Sequence, residues 1–168
     1  MTQSRGSKKN NKLSAFLENA KLLVSSLDIT PLLYGSLGLE YLTGKSLNAD
    51  DIDILISEIF ITDRWNEFKD FLISEGYVLI DEHEHTFQKN NISYSYASIE
   101  ELKSFTGIEL SDIEQRCSNG IKFKLLSLEQ YLKVYRASAK DGYRVTVREK
   151  KDNDKIAFIE KQLEIKNK

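Results

Sequence analysis

Two short polar groups lie near each other in the first third of this sequence, and their residue types suit chemistry on phosphates. Gly35 and Ser36 follow one apolar run, and Asp51 and Asp53 open a second one. Carboxylates two residues apart on a strand project from the same face with Cα atoms about 6.7 Å apart, so both can reach one cation. A glycine and a hydroxyl residue that open a helix let backbone N–H groups approach a phosphate. The sequence therefore predicts a phosphate cradle beside a carboxylate pair.

The carboxylate pair Asp51 and Asp53 suggests a binding site for Mg²⁺. Two such carboxylates on a buried strand repel each other by a few kcal/mol at an effective dielectric constant of about 20, and a divalent cation reverses that repulsion. Mg²⁺ prefers a few carboxylates together with substrate phosphate oxygens, and it neutralises charge during phosphoryl transfer. The alternative for an isolated Asp-x-Asp is a solvated strand face, but the Gly-Ser turn upstream favours a site for a nucleotide and a metal.

Basic residues recur at three- to four-residue steps late in the chain, at Lys133, Arg136, Lys140 and Arg144. Phosphoryl transfer needs positive charge opposite the leaving pyrophosphate. A stripe of this kind is usually a solvated helix face, and the functional interpretation is that Lys140 and Arg144 contact a nucleoside triphosphate.

Histidines and glutamates alternate between residues 82 and 85, within a segment that we expect to be a strand. On a strand, His83 and His85 share one face, and Glu82 and Glu84 share the other. Two imidazoles about 7 Å apart can ligate zinc only if a third ligand comes from elsewhere. A polar strand end is the favoured interpretation of this segment.

The elements that position these residues follow from apolar periodicity, capping boxes and turn residues. The expected helices cover residues 13–27, 37–42, 63–75, a segment from Ser98, a segment from Ser127, and 152–164. The expected strands cover 32–34, 51–56, 77–88 and 92–97, with a hairpin turn at 118–120 and a charged loop at 141–151. This order predicts a mixed α/β (α+β) domain with a small mixed central sheet flanked by helices.

Length and composition set further limits. The 168 residues suit one domain, and we expect a disordered basic tail over 1–11 and a single domain over 12–168. Apolar residues make up 40%, and no stretch has the length of a membrane span or a signal core, so we expect a cytoplasmic protein without membrane contact. Cys117 is the only cysteine, which excludes an internal disulfide. The net charge of −2 argues against sequence-blind binding of nucleic acid.

The segments Tyr34-Gly35-Ser36 and Asp51-Ile52-Asp53-Ile54 resemble the signature of the nucleotidyltransferase (polymerase-beta-like) superfamily. Residues 32–56 look like small bacterial proteins akin to the head domain of CCA-adding enzymes, and like antibiotic and abortive-infection-type nucleotidyltransferases. Residues 125–133 and Lys151-Asp152-x-Asp154-Lys155 are similar to the helical segment that supports the nucleotide in such proteins. The resemblance implies a nucleotidyltransferase-like fold, a nucleoside triphosphate as substrate, Mg²⁺, a phosphate cradle at Gly35 and Ser36, and metal ligands at Asp51 and Asp53.

One departure from that family concerns its usual third carboxylate, on a neighbouring strand. The matching segment 92–97 contains no acid, and Glu84 is the nearest substitute in the sequence. We therefore expect catalysis by Asp51, Asp53 and Glu84, with transfer of a nucleoside monophosphate to RNA, a small molecule or a protein hydroxyl. The alternative is a catalytically lapsed fold that acts as a nucleotide- or RNA-binding or regulatory module, including a toxin–antitoxin or phage-defence component.

Overall fold

The computed structural model describes residues 6–140 and 146–167, with side chains described for 11–140 and 152–167. Within these ranges the helices are α1 (Gly6–Leu27), α2 (Gly35–Thr43), α3 (Trp65–Ser74), α4 (Ile99–Thr106), α5 (Leu128–Lys140) and α6 (Thr146–Lys166). The strands are β1 (Leu32–Tyr34), β2 (Ile52–Ile56), β3 (Val78–Asp81), β4 (Thr86–Lys89), β5 (Ile92–Ser98), β6 (Glu114–Ser118) and β7 (Ile121–Leu125). Short 3₁₀ turns cover Glu58–Ile61 and Leu110–Asp112. None of the described helices has both the length and the apolar character that crossing a bilayer requires.

The seven described strands form one mixed sheet in the order β3-β4-β5-β2-β1-β7-β6. The central strands β1 and β2 are antiparallel, while β2 pairs with β5 and β1 pairs with β7 in parallel. Because β1 and β2 run in opposite directions, the end of β1 lies beside the start of β2. The sheet therefore brings Gly35, which follows β1, next to Asp53 in the first half of β2.

The two faces of the sheet carry different cores. One face packs against α1 and α3 through a cluster that includes Phe16, Ile54 and Phe68, all fully buried. The other face packs against α4, α5 and α6 through a cluster that includes Leu55, Tyr131 and Ile159. We call this second face the site face, because strand alternation places Asp53 on it together with Leu55.

Local sequence signals for caps and turns are confirmed. The Ser98 hydroxyl accepts a hydrogen bond from the Glu101 amide at 3.2 Å, which caps α4. Ser127 and Gln130 exchange two hydrogen bonds of 2.9 and 3.1 Å at the start of α5, as a capping box does. The β6–β7 turn has positive φ at both Asn119 and Gly120, the conformation that Asn-Gly adopts readily.

The expected strand over 77–88 is wrong, because the structure divides it into β3 and β4. Asp81 Oδ1 accepts a hydrogen bond from the Glu84 amide at 3.1 Å, and the His85 amide donates to the Glu82 carbonyl at 3.3 Å. His85 has a φ of 52°, which no strand residue adopts. These contacts close a turn over residues 82–85, so the histidines and glutamates there do not alternate between strand faces.

Two helices are longer than the sequence indicated. α1 begins at Gly6, within the segment assigned to a tail, and α6 begins at Thr146, within the segment assigned to a loop. Both extensions are strongly polar. A periodicity of apolar residues, which reports burial, does not detect helical turns that carry none.

Candidate active site

Gly35 and Asp53 make the closest approach at the edge shared by β1 and β2. Gly35 has a φ of +65°, and a Cβ placed on it would lie 2.5 Å from Asp53 Oδ2. A side chain at position 35 is disfavoured by the left-handed backbone conformation, and it would also overlap the Asp53 carboxylate. The absence of a side chain at Gly35 thus allows a half-buried carboxylate to lie directly against the first residue of α2.

Ser36 and Lys155 meet at the same helix start. Lys155 Nζ of α6 donates to Ser36 Oγ at 2.9 Å, and the ammonium also lies 5.6 Å from the centre of the Tyr135 ring. Both Ser36 and Lys155 are half-buried. A cation, a hydroxyl and the backbone N–H groups of the first turn of α2 therefore converge on one small region, which suits a phosphate group.

Tyr131 of α5 fixes the start of α2 from behind. Its buried hydroxyl donates to the Gly35 carbonyl at 3.0 Å. At Gly38, one turn further along α2, a Cβ would overlap the Tyr131 hydroxyl and would lie 2.7 Å from the Leu33 carbonyl. α2 consequently packs against β1 and α5 at a distance that only glycine permits.

Burial raises the pKa of Tyr131 well above its usual range, and the nearby Tyr135, Tyr34 and Asp53 raise it further because a phenolate would be repelled by their negative charge. The hydroxyl therefore remains protonated and keeps its donated hydrogen bond to the Gly35 carbonyl across the physiological pH range.

Asp51 lies just before β2, at the end of the loop that joins α2 to that strand, and it is exposed. The loop is held by Glu40, whose buried carboxylate accepts hydrogen bonds from the Leu47 amide at 2.6 Å and the Ala49 amide at 3.3 Å. Lys12 of α1 donates to the Ala49 carbonyl. Glu40 therefore positions the loop that carries Asp51.

A row of polar side chains crosses the site face through Asp53. Tyr34 of β1 pairs with Asp53, Asp53 pairs with Ser95 of β5, and Ser95 pairs with Thr86 of β4. The Thr86 and Ser95 hydroxyls lie 2.9 Å apart, which confirms that both point to one face. Ser95 is therefore the residue beside Asp53 on β5, the strand where the resemblance implied a third acid and which carries none.

Glu84, expected on a strand, lies instead in the exposed β3–β4 turn. Its neighbour Glu82 accepts hydrogen bonds from Trp65 Nε1 at 3.2 Å and from Lys69 Nζ at 3.1 Å, and these partners lower the pKa of Glu82. The His85 ring packs edge-on against Trp65 at 4.7 Å. These contacts attach the turn to α3. Across residues 11–140 and 152–167, no three His, Cys, Asp or Glu side chains are grouped to hold a metal.

Of the two basic residues expected at the triphosphate, Lys140 is the exposed last residue of α5, and Arg144 lies outside the described residues. Lys140 is nine residues beyond Tyr131, or about 13 Å along the helix axis. Among the side chains described, Lys155 is the cation at Ser36, and it lies in the segment that resembles a nucleotide-supporting helix in sequence.

Asp51 and Asp53 are the residues here that could hold Mg²⁺. Asp51 and Asp53 supply two carboxylates, and Mg²⁺ is commonly held in proteins by one or two carboxylates plus substrate phosphates. The turn of Gly35 and Ser36 lies directly beside Asp53, so the oxygens of a phosphate bound there would complete the coordination.

Sequence reasoning missed two positioning residues, Tyr131 and Glu40. Glu40 carried a usable signal, since a carboxylate inside the apolar stretch 37–42 must find buried donors. Tyr131 carried none, because its partner Gly35 is 96 residues away in the chain.

No family model matches the chain. It is 41% identical over 146 residues to the "Uncharacterized protein YnaI" of Bacillus subtilis (strain 168), a match that covers 87% of this chain and 94% of that protein. Among solved structures, an antigenic nucleotidyltransferase-like protein from Paracoccidioides brasiliensis aligns with a TM-score of 0.61 at 16% identity, over 89% of this chain and 75% of that one. The antibiotic-resistance factor ANT(2'')-Ia aligns with a TM-score of 0.50 at 11% identity, over 92% and 93% of the two chains.

These structural likenesses show a nucleotidyltransferase-like fold, as the sequence predicted. The narrower resemblance to the head domain of CCA-adding enzymes stays a prediction.

Proposed function

The chain belongs to the same protein family as YnaI of Bacillus subtilis, and we propose that it transfers a nucleoside monophosphate from a nucleoside triphosphate to an acceptor hydroxyl. The observation that carries the proposal is the contact of Asp53 with Gly35 at the helix start that also receives Lys155. A carboxylate that could hold a metal and a cation that could meet phosphate thus both lie at one glycine-serine turn.

The triphosphate is bound at the start of α2. Backbone N–H groups of its first turn and the Ser36 hydroxyl donate to phosphate oxygens, and the Lys155 ammonium compensates the charge of the leaving pyrophosphate. Tyr131 keeps the Gly35 carbonyl turned away from the phosphate by holding it in a hydrogen bond. Each of these groups is in place before the nucleotide arrives, so little reorganisation is needed.

Asp51 and Asp53 would hold Mg²⁺, which supplies charge neutralisation at the transferring phosphoryl group. Glu40 keeps the loop of Asp51 in position. In the transfer itself, a bond forms between the acceptor oxygen and the α-phosphorus, and the bond from that phosphorus to the pyrophosphate oxygen breaks. Pyrophosphate leaves toward Lys155, and the proton of the acceptor hydroxyl is released to solvent.

Calorimetric titration of each of the four nucleoside triphosphates, with and without Mg²⁺, tests the binding half of the proposal. We expect Mg²⁺-dependent binding of at least one nucleotide and a loss of at least about tenfold in affinity for Lys155→Met, since a charge-assisted contact contributes about 1.5–3 kcal/mol. Lys161→Met is the matched control, because Lys161 is an exposed lysine of the same helix. Unchanged affinity in Lys155→Met, or no binding of any of the four, would contradict the proposal.

A second candidate function is nucleotide binding without turnover. The observation that favours it is Ser95, a neutral residue beside Asp53 where a third acid was expected. Pyrophosphate release in the presence of RNA, protein extract and small-molecule extract, compared with Asp53→Asn, separates the two functions. Release that depends on an acceptor and on Asp53 supports transfer, while binding with no release from any mixture supports the binding module.

A further inference from the structure

The site face continues past Asp53 onto β5 and β4, and this part carries Ser93, Ser95, Thr86 and Gln88, which we call the hydroxyl surface. We propose that the hydroxyl surface binds the acceptor, that this acceptor is a small, uncharged, polyhydroxylated molecule, and that Ser95 orients its attacking hydroxyl. The inference rests on the proposed function and adds the class of acceptor to it.

The location follows from strand register. Ser95 pairs directly with Asp53, so its Cα lies one strand spacing away, about 4.8 Å. Tyr34 occupies the neighbouring position on the other side of Asp53, toward α2. Asp53 is thus flanked by the phosphate cradle on one side and by the hydroxyl surface on the other.

The chemistry of transfer assigns the two sides. In phosphoryl transfer the attacking and leaving oxygens lie roughly in line on opposite sides of the phosphorus. The leaving pyrophosphate lies toward Ser36 and Lys155, because that is where the cation is. The attacking hydroxyl therefore approaches from the side of β5, over Ser95.

Hydrogen bonding defines what Ser95 offers to that hydroxyl. The Thr86 hydroxyl lies 3.3 Å from the Glu84 carbonyl and 2.9 Å from Ser95 Oγ, and in the second contact either oxygen can donate. When Thr86 donates to the Glu84 carbonyl, Ser95 is the donor to Thr86. The lone pairs of Ser95 Oγ then remain to accept from the acceptor's O–H. The acceptor hydroxyl, Ser95 and Thr86 then form a chain of hydrogen bonds that ends at the Glu84 carbonyl in the β3–β4 turn.

The four side chains of the hydroxyl surface are neutral, so this surface offers no ionic partner to a charged acceptor of either sign. Within β3, β4 and β5, which the structure describes throughout, the single basic residue is Lys89. Lys89 lies on the opposite face, where its ammonium donates to the Glu75 carbonyl at 3.0 Å and lies 4.8 Å from the Tyr77 ring centre. Nucleic acids are bound largely through Lys and Arg contacts to phosphate, and the hydroxyl surface has none to give.

Saturation-transfer NMR tests the proposal on the full chain with Mg²⁺ and a non-hydrolysable analogue of the nucleotide that binds best. The probes are myo-inositol, sucrose and glucose, with glucosamine as a cationic match for glucose and a single-stranded RNA 12-mer. We expect signal from at least one neutral probe, no gain for glucosamine over glucose, and none for the RNA. Preference for glucosamine or RNA would overturn the proposal, as would silence from every neutral probe while the analogue is bound.

Variants separate this inference from the proposed function. Ser95→Ala should lower the affinity for the bound neutral probe about fivefold to tenfold, which is the effect of one hydrogen bond. Ser95→Thr should restore that affinity. Analogue affinity should stay within about twofold in both variants, and the exposed helix residue Ser74→Ala should change neither quantity. Equal probe binding in Ser95→Ala and the unaltered chain contradicts the role of Ser95 alone. Failure of the analogue to bind the unaltered chain contradicts the proposed function, and the inference with it.

Discussion

The two halves of the site face differ in how tightly their polar groups are fixed. Around Gly35, the Asp53 carboxylate lies so close to the backbone that only glycine fits there. The Tyr131 hydroxyl and the Lys155 ammonium are positioned by helices α5 and α6. Around Ser95, the polar groups are hydroxyls on open strands with exposed neighbours such as Gln88 and Ala97. The surroundings of Gly35, which we call the phosphate half because we propose that phosphate binds there, therefore have little freedom to change. The hydroxyl surface can change at small cost to the fold.

The largest expected effect is that of Gly35→Ala. The left-handed φ of +65° costs about 1–2 kcal/mol for a non-glycine residue, and the overlap with Asp53 adds about 1–3 kcal/mol. We expect a loss of about 3 kcal/mol in urea unfolding. Gly44→Ala is the control, because Gly44 has a φ of +74° with nothing within 4 Å of its added Cβ. The Gly44→Ala variant should lose about 1 kcal/mol of unfolding free energy. Equal losses in the two variants would show that the Asp53 carboxylate does not restrict position 35.

Glu40→Ala comes next. It leaves the Leu47 and Ala49 amides without their buried acceptor, which should cost about 2 kcal/mol. Because the same loop carries Asp51, we also expect weaker Mg²⁺-dependent nucleotide binding. Glu40→Gln keeps an acceptor oxygen and should recover most of both losses. A Glu40→Ala protein that unfolds in urea like the unaltered chain would show that the loop is held by other contacts.

Tyr131→Phe should cost about 1 kcal/mol through the lost bond to Gly35, and it should also change the alkaline stability profile. Burial raises the pKa of Tyr131, as it does those of Tyr77, Tyr94 and Tyr96 on the other face. The unfolded chain loses these protons at about pH 10 and the folded chain at higher pH, so their stabilising contribution is full below about pH 10 and is lost as pH rises further. Urea midpoints measured from pH 8 to 11.5 should fall less steeply for Tyr131→Phe and for Tyr94→Phe. If the fall of the urea midpoint with pH were unchanged in Tyr131→Phe but reduced in Tyr94→Phe, Tyr131 would be less well shielded from solvent than the tyrosines of the other face.

The smallest effect is expected for Gln88→Ala on the hydroxyl surface. Gln88 is exposed on β4 opposite Ser93, and exposed substitutions away from special features usually stay within about 0.5 kcal/mol. Thermal unfolding of this variant should match the unaltered chain. A loss above about 1.5 kcal/mol would show that the hydroxyl surface contributes to the fold as much as the phosphate half does.

Local signals in the sequence were sufficient for much of the fold and part of the candidate site. The caps at Ser98 and Ser127 and the Asn119-Gly120 turn depend on contacts within three residues, and the sequence displays all the partners. The proximity of Gly35 and Asp53 was also predictable, because a short spacer joins the two strands that carry them and these strands pair with each other.

Features that depend on contacts between residues far apart in the chain could not be predicted from local sequence signals. The sequence favoured Lys140 as a phosphate contact because its spacing suited a basic stripe, but the ammonium at Ser36 comes from Lys155 on another helix. The pairing of Ser95 with Asp53 depends on which strand crosses beside β2, which periodicity does not determine. The turn at 82–85 was hidden because alternation of charged residues is shared by strands and by tight polar turns.

The contact between Lys155 and Ser36 also sets the order in which the site is completed during synthesis. Its two partners are 119 residues apart, so Gly35, Asp53 and the entire sheet leave the ribosome before the ammonium does. The Ser138 hydroxyl, which donates to the buried Asp152 carboxylate at 2.7 Å, then joins α6 to α5 and brings Lys155 into place. A nascent chain that has emerged only through α5 carries the proposed metal carboxylates without the Lys155 ammonium. Under the proposed function, the growing protein would therefore gain its full affinity for a triphosphate only when α6, its last described helix, docks.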